Sequence, residues 1–210
     1  MRALVVAVLV TLSAPAFAGG KPAAIVIPPI EAELGAAAPI GVATPEANST
    51  EFRVGVHSAS LAWKPTRFDV GIGYAGSYRS LPNEALVRTI DSQLVEQTLR
   101  MHGLYLSIAY AIERHRHWRT WLGARIDTLS GTYHERQLNV IGGSIRLSAE
   151  IFAAGAHAGG DRNVAAFMAG AWALGVYVEG TARTLPDELG PVGVGAGVSM
   201  RVPFILAVGY

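Results

Sequence analysis

The stretch that decides the fold is the C-terminal one, Val192-Gly-Val-Gly-Ala-Gly-Val-Ser-Met-Arg-Val-Pro-Phe-Ile-Leu-Ala-Val-Gly-Tyr210. Val192, Val194, Ala196, Val198, Met200, Val202, Phe204, Leu206, Val208 and Tyr210 share one parity, and the other opens Gly193, Gly195, Gly197, Ser199, Arg201. Successive side chains of a strand point to opposite faces, so one face here is apolar and the other small and polar. With half the chain apolar, such a run arises by chance about once in a thousand at a given start. Pro203 interrupts the pattern, because proline removes a ladder donor.

The same test run upstream finds more strands. In 163–182, Val164, Ala166, Met168, Trp172, Leu174, Val176 and Val178 oppose Tyr177, Glu179 and Thr181. In 139–157, Ile141, Ile145, Leu147, Ala149, Ile151 and Ala153 oppose Ser144, Arg146, Ser148 and Glu150. Segments 118–129, 99–113 and 67–78 alternate likewise. Segment 52–63 changes phase between Val56 and Leu61, which a bulge near Ser58 would reconcile. Segment 30–42, with Glu31, Glu33, Gly35 and Gly41 on one side, is the weakest candidate and brings the count to eight. The expected fold class is therefore all-β, an antiparallel up-and-down transmembrane β-barrel of eight strands. Each candidate reaches the ~9–11 residues a membrane-crossing strand needs, and bacterial barrels have even strand numbers.

The remaining composition agrees. Charged residues make up 16% of 210 residues, and the formal net charge is +1, so no strong field points to nucleic acid. Cysteine is absent, which removes disulfides, thiol nucleophiles and Cys–zinc sites. Arg2, the apolar run 3–12 and Ala16-Phe17-Ala18 read as a signal peptide cleaved before Gly19. The expected organisation is a signal peptide over 1–18, a short segment over 19–29 and a barrel over 30–210. No helix-length apolar span appears, and a lipocalin-like barrel would have the opposite polarity, apolar inside; alternation alone also fits an open sandwich.

Connections supply a further check. With the C-terminus on the periplasmic side, the turns 64–66, 114–117 and 159–162 are short. The outer loops 43–51, 79–98, 130–138 and 183–190 are longer, as barrels of this kind have them. A lipid-facing Arg at the bilayer midplane costs ~2–4 kcal/mol. Arg53, His57, Asp69, Arg125, Asp127, Arg146, Glu150, Glu179 and Arg201 are therefore assigned to the lumen, with Glu31 and Glu33 beside them. Acids and bases roughly match, which implies lumenal ion pairs, and a plugged barrel needs Arg146 and Glu150 paired across strands. An eight-stranded barrel is just wide enough for side chains to fill, although the inward Gly and Ala would leave a narrow wet space. Outward aromatics near strand ends, Tyr74, Tyr78, Tyr110, Trp118 and Tyr210, read as interfacial girdles or as ordinary strand composition.

On these residues the chain resembles the small eight-stranded bacterial outer-membrane β-barrel superfamily, of OmpA- and OmpX-like architecture. The resemblance covers roughly 30–210. Phe204, Leu206, Val208 and Tyr210 resemble the C-terminal signal read by the outer-membrane insertion machinery. The resemblance implies a bacterial outer-membrane location reached by export. It fixes no activity, since the superfamily holds structural anchors, small pores, adhesins and lipid-modifying enzymes.

Candidate chemistry is sparse. Outer-membrane lipid A deacylases place a His and a Ser on one outward strand face, and the neighbours His57 and Ser58 fall on opposite faces. Arg114-His115-Arg116-His117 reads as a solvated basic turn, or as a metal site lacking a third ligand. Arg100 and His102 carry lipid-facing parity at an outer strand end and are candidates for lipopolysaccharide phosphates; the alternative is a strand already clear of the membrane. No cofactor, metal, catalytic group or small-molecule ligand is expected. The partners expected are outer-membrane lipid, including lipopolysaccharide, and the insertion machinery during assembly. The leading function is a structural or surface-interacting barrel with a largely plugged lumen. The alternatives are a small pore for ions or apolar solutes and, more distantly, a lipid-modifying enzyme.

Overall fold

The computed structural model describes residues 23–41, 48–58, 67–80, 98–115, 117–133, 136–152 and 172–209. Eight strands succeed one another: β1 (Ala23–Pro39), β2 (Ser49–His57), β3 (Phe68–Ser80), β4 (Thr98–Arg114), β5 (Trp118–Tyr133), β6 (Arg136–Phe152), β7 (Ala173–Arg183) and β8 (Val192–Gly209). Each pairs antiparallel with the next, and β1 pairs with β8, so the sheet closes on itself without a crossover. Closure gives every strand a partner on both sides over most of its length. The signal-peptide segment 1–18 and Tyr210 lie outside the described residues, as do 163–171, Val42, Leu61 and Trp63.

Strand number and order match the reading of the sequence; several boundaries do not. β1 begins at Ala23, ahead of Ile30, and β7 is described only from Ala173. The expected loop 130–138 is mostly strand: β5 and β6 pair as far as Tyr133↔Arg136. The outward positions there are polar (Thr132, Gln137, Asn139), so the apolar alternation stops while the ladder continues. β2 ends at His57, and residues 59–66 lie outside the described residues.

Two irregularities have identifiable causes. The β1–β8 register shifts between Ile27↔Phe204 and Ile30↔Val202. Pro28, Pro29 and Pro203 all fall in that interval, so prolines lacking a ladder N–H are gathered where pairing is already broken. On β4, the shift between Ala111 and Glu113 leaves Ile112 as the extra residue of a bulge.

Polarity is inverted relative to a water-soluble protein. The outward parity is apolar and bare: Ile126 is 60% exposed, Ile145 68% and Leu174 64%. The inward parity is charged and buried. Inward glycines supply room for large rings. Tyr177 lies across Gly35 and Gly197, and Tyr105 across Gly55 and Gly73; a methyl at any of the four would overlap the ring or its hydroxyl. These glycines therefore accommodate tyrosines where the sequence suggested open, wet space.

Leu147, 46% exposed on the outward face of β6, tests this inversion. Leu147→Arg is expected to cost ~2–4 kcal/mol at mid-depth and to deplete the heat-modifiable, folded band on a gel. Normal amounts of that band would place the apolar face elsewhere.

Candidate functional site

The inward side chains form one connected ionic column. At its centre Arg53, 1% exposed, joins three carboxylates. Its Nη1 donates to Glu33 Oε2 at 3.0 Å and to the Tyr177 hydroxyl at 3.2 Å. Its Nη2 donates to Glu179 Oε1 at 2.7 Å and to Glu51. Arg125 Nη2 donates to the other Glu179 oxygen at 2.7 Å. Arg146 donates to Glu33 and lies 4.0 Å over the Tyr177 ring. Toward the far end, away from the termini, Arg183 Nη1 reaches Glu51 Oε1 at 2.6 Å, with Asp127 3.5 Å from Nη2.

Toward the termini a second group takes over. Arg201 Nη2 donates to Glu31 Oε2 at 2.8 Å and to Glu150 Oε1 at 2.9 Å. The Trp121 indole donates to the other Glu150 oxygen at 3.0 Å. His57 Nδ1 lies 2.7 Å from Asp69 Oδ2, and its Nε2 lies 3.3 Å from the Tyr105 hydroxyl. Arg119 packs its guanidinium 4.8 Å over the Phe152 ring. An internal space of about 50 Å³ remains, bounded in part by Glu31, His57, Tyr105 and Arg146. A space of that size takes a few waters.

All nine side chains assigned to the lumen lie on the inward face: Arg53, His57, Asp69, Arg125, Asp127, Arg146, Glu150, Glu179 and Arg201. Arg146 and Glu150 both project from the inward face of β6. Each reaches across the barrel, Arg146 to Glu33 on β1 and Glu150 to Arg201 on β8. Glu51, Arg79, Arg119 and Arg183 also belong to the interior. Glu51, Arg79 and Arg183 stand at strand ends that the alternation leaves to loops, and Arg119 lies at the start of the 118–129 segment, before its apolar alternation opens at Leu122.

Apolar side chains cluster at the far end of the lumen. Leu99, Met101, Leu129 and Val140 turn inward from β4, β5 and β6. The segment after β7 folds over them: a 3-10 turn at Asp187–Leu189, ended by Gly190 at φ 65°, lets Leu185 and Leu189 pack into the same cluster. Thr184 continues the β7 edge by pairing with Ile141 through both its amide and its hydroxyl, each at 2.9 Å. Arg79 donates to the Leu189 carbonyl. Burying each of these aliphatic side chains contributes ~1.5–3 kcal/mol.

The remaining candidates are placed as follows. Ser58 Oγ accepts from the Val70 amide at 2.8 Å and donates to Asp69 Oδ1 at 3.4 Å. His57 has both nitrogens occupied by other partners, so no Ser–His hydrogen bond forms. His115 stacks on Trp118 at 4.3 Å, and among the described residues no cluster of three His, Asp or Glu side chains is arranged to hold a metal. Arg100 and His102 are exposed on the outward face of β4. Phe204, Leu206 and Val208 lie in β8, and their side chains are outside the described residues.

The chain is similar to small outer-membrane barrels. Neisserial surface protein A is 12% identical, with 84% of this chain and 95% of that one covered at a TM-score of 0.46. The attachment invasion locus protein Ail of Yersinia pestis is 9% identical over 84% and 97%, at 0.39. The N-terminal β-barrel domain of Pseudomonas aeruginosa OprF is 11% identical over 84% and 98%, at 0.37. No family model and no curated protein matches the chain.

Arg53 gives the sharpest test of the column. Removing one partner of a buried ion pair costs ~3–5 kcal/mol, and Arg53→Met takes one guanidinium from each of Glu33, Glu51 and Glu179, which keep Arg146, Arg183 and Arg125. Urea unfolding of the refolded barrel is expected to show a loss of at least ~3 kcal/mol. An unchanged midpoint would remove the column from the sources of stability.

Proposed function

We propose that this protein is a non-enzymatic bacterial outer-membrane barrel with a plugged lumen, acting as a structural or surface-interacting element and not as a conduit. The observation that carries the reading is the interior itself. An ionic column runs from Arg201 to Arg183, leaves a space of about 50 Å³, and meets an apolar closure of Leu99, Met101, Leu129, Leu185 and Leu189. An ion entering would have to displace Arg–carboxylate pairs already satisfied by one another, at several kcal/mol each. The bare apolar belt of Ile, Leu and Val supports a lipid environment, since a face of that kind in water marks an interaction or aggregation surface. The occupied nitrogens of His57 support the non-enzymatic reading.

Single-channel recording of the refolded barrel in a planar bilayer tests the plug. We expect no discrete openings from material that shows the heat-dependent gel shift. Steady openings from that same material would overturn the plugged reading and favour a small pore.

A further inference from the structure

The outward wall of β2–β5 differs from the rest of the belt at its far end. Phe52 lies over Gly76, between Tyr74 and Tyr78, with ring centroids 6.1 and 6.2 Å away. Arg100 and His102 flank these rings. The Arg100 guanidinium lies 5.7 Å over Tyr78, and His102 stacks on Tyr74 at 6.1 Å. Among the described residues neither side chain makes an ion pair and no carboxylate shares this outward stretch. An uncompensated Arg facing outward is costly at the bilayer midplane and cheap at the headgroups.

Depth places the pair at the headgroups. Tyr110, Phe68 and Trp118 mark the opposite interface: Phe68 and Tyr110 pack edge to face at 5.2 Å, and Arg67 donates to the Tyr110 hydroxyl. From Tyr110 to Arg100, at about 3.4 Å per residue and a tilt of about 40°, β4 climbs roughly 25 Å. That equals the height of the apolar band, ~25 Å. Arg100 therefore sits one membrane thickness from the Tyr110 girdle, with His102 just beneath it and Leu104, exposed on the same face, within the acyl layer.

We propose that Arg100 and His102 bind the phosphate of an anionic glycolipid of the outer leaflet, lipid A-like, whose acyl chains lie along Phe52, Tyr74 and Leu104. Arg100 offers a planar fork matched to phosphate oxygens, and His102 adds a ring N–H donor. Beside them on the neighbouring strands, Ser130 and Asn139, bonded to each other at 3.0 Å and paired in register with His102, present polar groups at sugar height. The proposal rests on the outer-membrane reading above.

The test uses the refolded full-length barrel in phosphatidylcholine vesicles carrying either diphosphorylated or dephosphorylated lipid A. After extraction in mild detergent, the lipid A that co-purifies is counted by mass spectrometry. Wild-type protein is expected to retain the diphosphorylated form about ten-fold better, and Arg100→Gln/His102→Gln to lose about ten-fold in retention, as expected for charge-assisted contacts. Arg67→Gln, at the opposite girdle, should leave retention unchanged. Equal retention by wild type and the double variant, or indifference to the phosphates, overturns the site while insertion stands. Displacement of the lipid by inorganic phosphate at concentrations matching lipid A overturns the lipid assignment and leaves a simple anion site. Failure of the wild type to insert, seen as loss of the heat-dependent gel shift, overturns the membrane reading as well.

Discussion

A charge cannot face hydrocarbon cheaply, and the rest of the architecture follows from that constraint. Every strand of this barrel carries an apolar outward parity, so each strand charge within the belt must project inward. The interior is narrow, and the charges are forced into mutual contact. Burying such pairs is costly unless each is satisfied on several sides. The solution is a shared column in which Arg53 serves three carboxylates and Glu179 serves two guanidiniums. Side chains from widely separated strands thus meet at one axis, and the column ties β1, β2, β5, β6, β7 and β8 together independently of the hydrogen-bond ladder.

The lumen is layered along its axis. Near the termini, Arg119 rests on Phe152 and Trp121. The two ionic groups occupy the middle, joined through Tyr105, Tyr177 and the carboxylates of β1. At the far end the inward parity becomes apolar and the segment after β7 folds down onto it. β7 stops at Arg183, opposite Gly142, while β6 begins at Arg136, and this early end makes the arrangement possible. The outer part of β6 is left without a strand neighbour on that side, and Thr184 and the turn behind it fill the position.

Much of this was legible in the sequence because period two is a local property. Ile141, Ile145 and Leu147 on one parity and Arg146 and Glu150 on the other settle which way β6 faces without any knowledge of its neighbours. Partner choice is not local: nothing in the spacing of Arg146 says that it meets Glu33 on β1. The strand ends were also hidden, at Thr132, Gln137 and Asn139, because polar outward residues look like loop. A subtler signal was present there. On the inward parity, small and charged residues give way to Leu99, Met101, Leu129 and Val140, an apolar run on a face that elsewhere rejects it. That switch announces an apolar closure, although only the folded structure shows that Leu185 and Leu189 complete it.

The seam between the first and last strands carries a separate consequence. Its far half is continuous, from Ile30↔Val202 to Pro39↔Gly193, and contains the paired charges Glu31 and Arg201. Its other half is broken by register shifts, and three prolines that cannot donate stand at one of them. Closure of the cylinder is therefore polar: the seam is latched at one end and slack at the other. The molecule carries, in three imino acids and one ion pair, a distinction between the regular and the interrupted half of its wall.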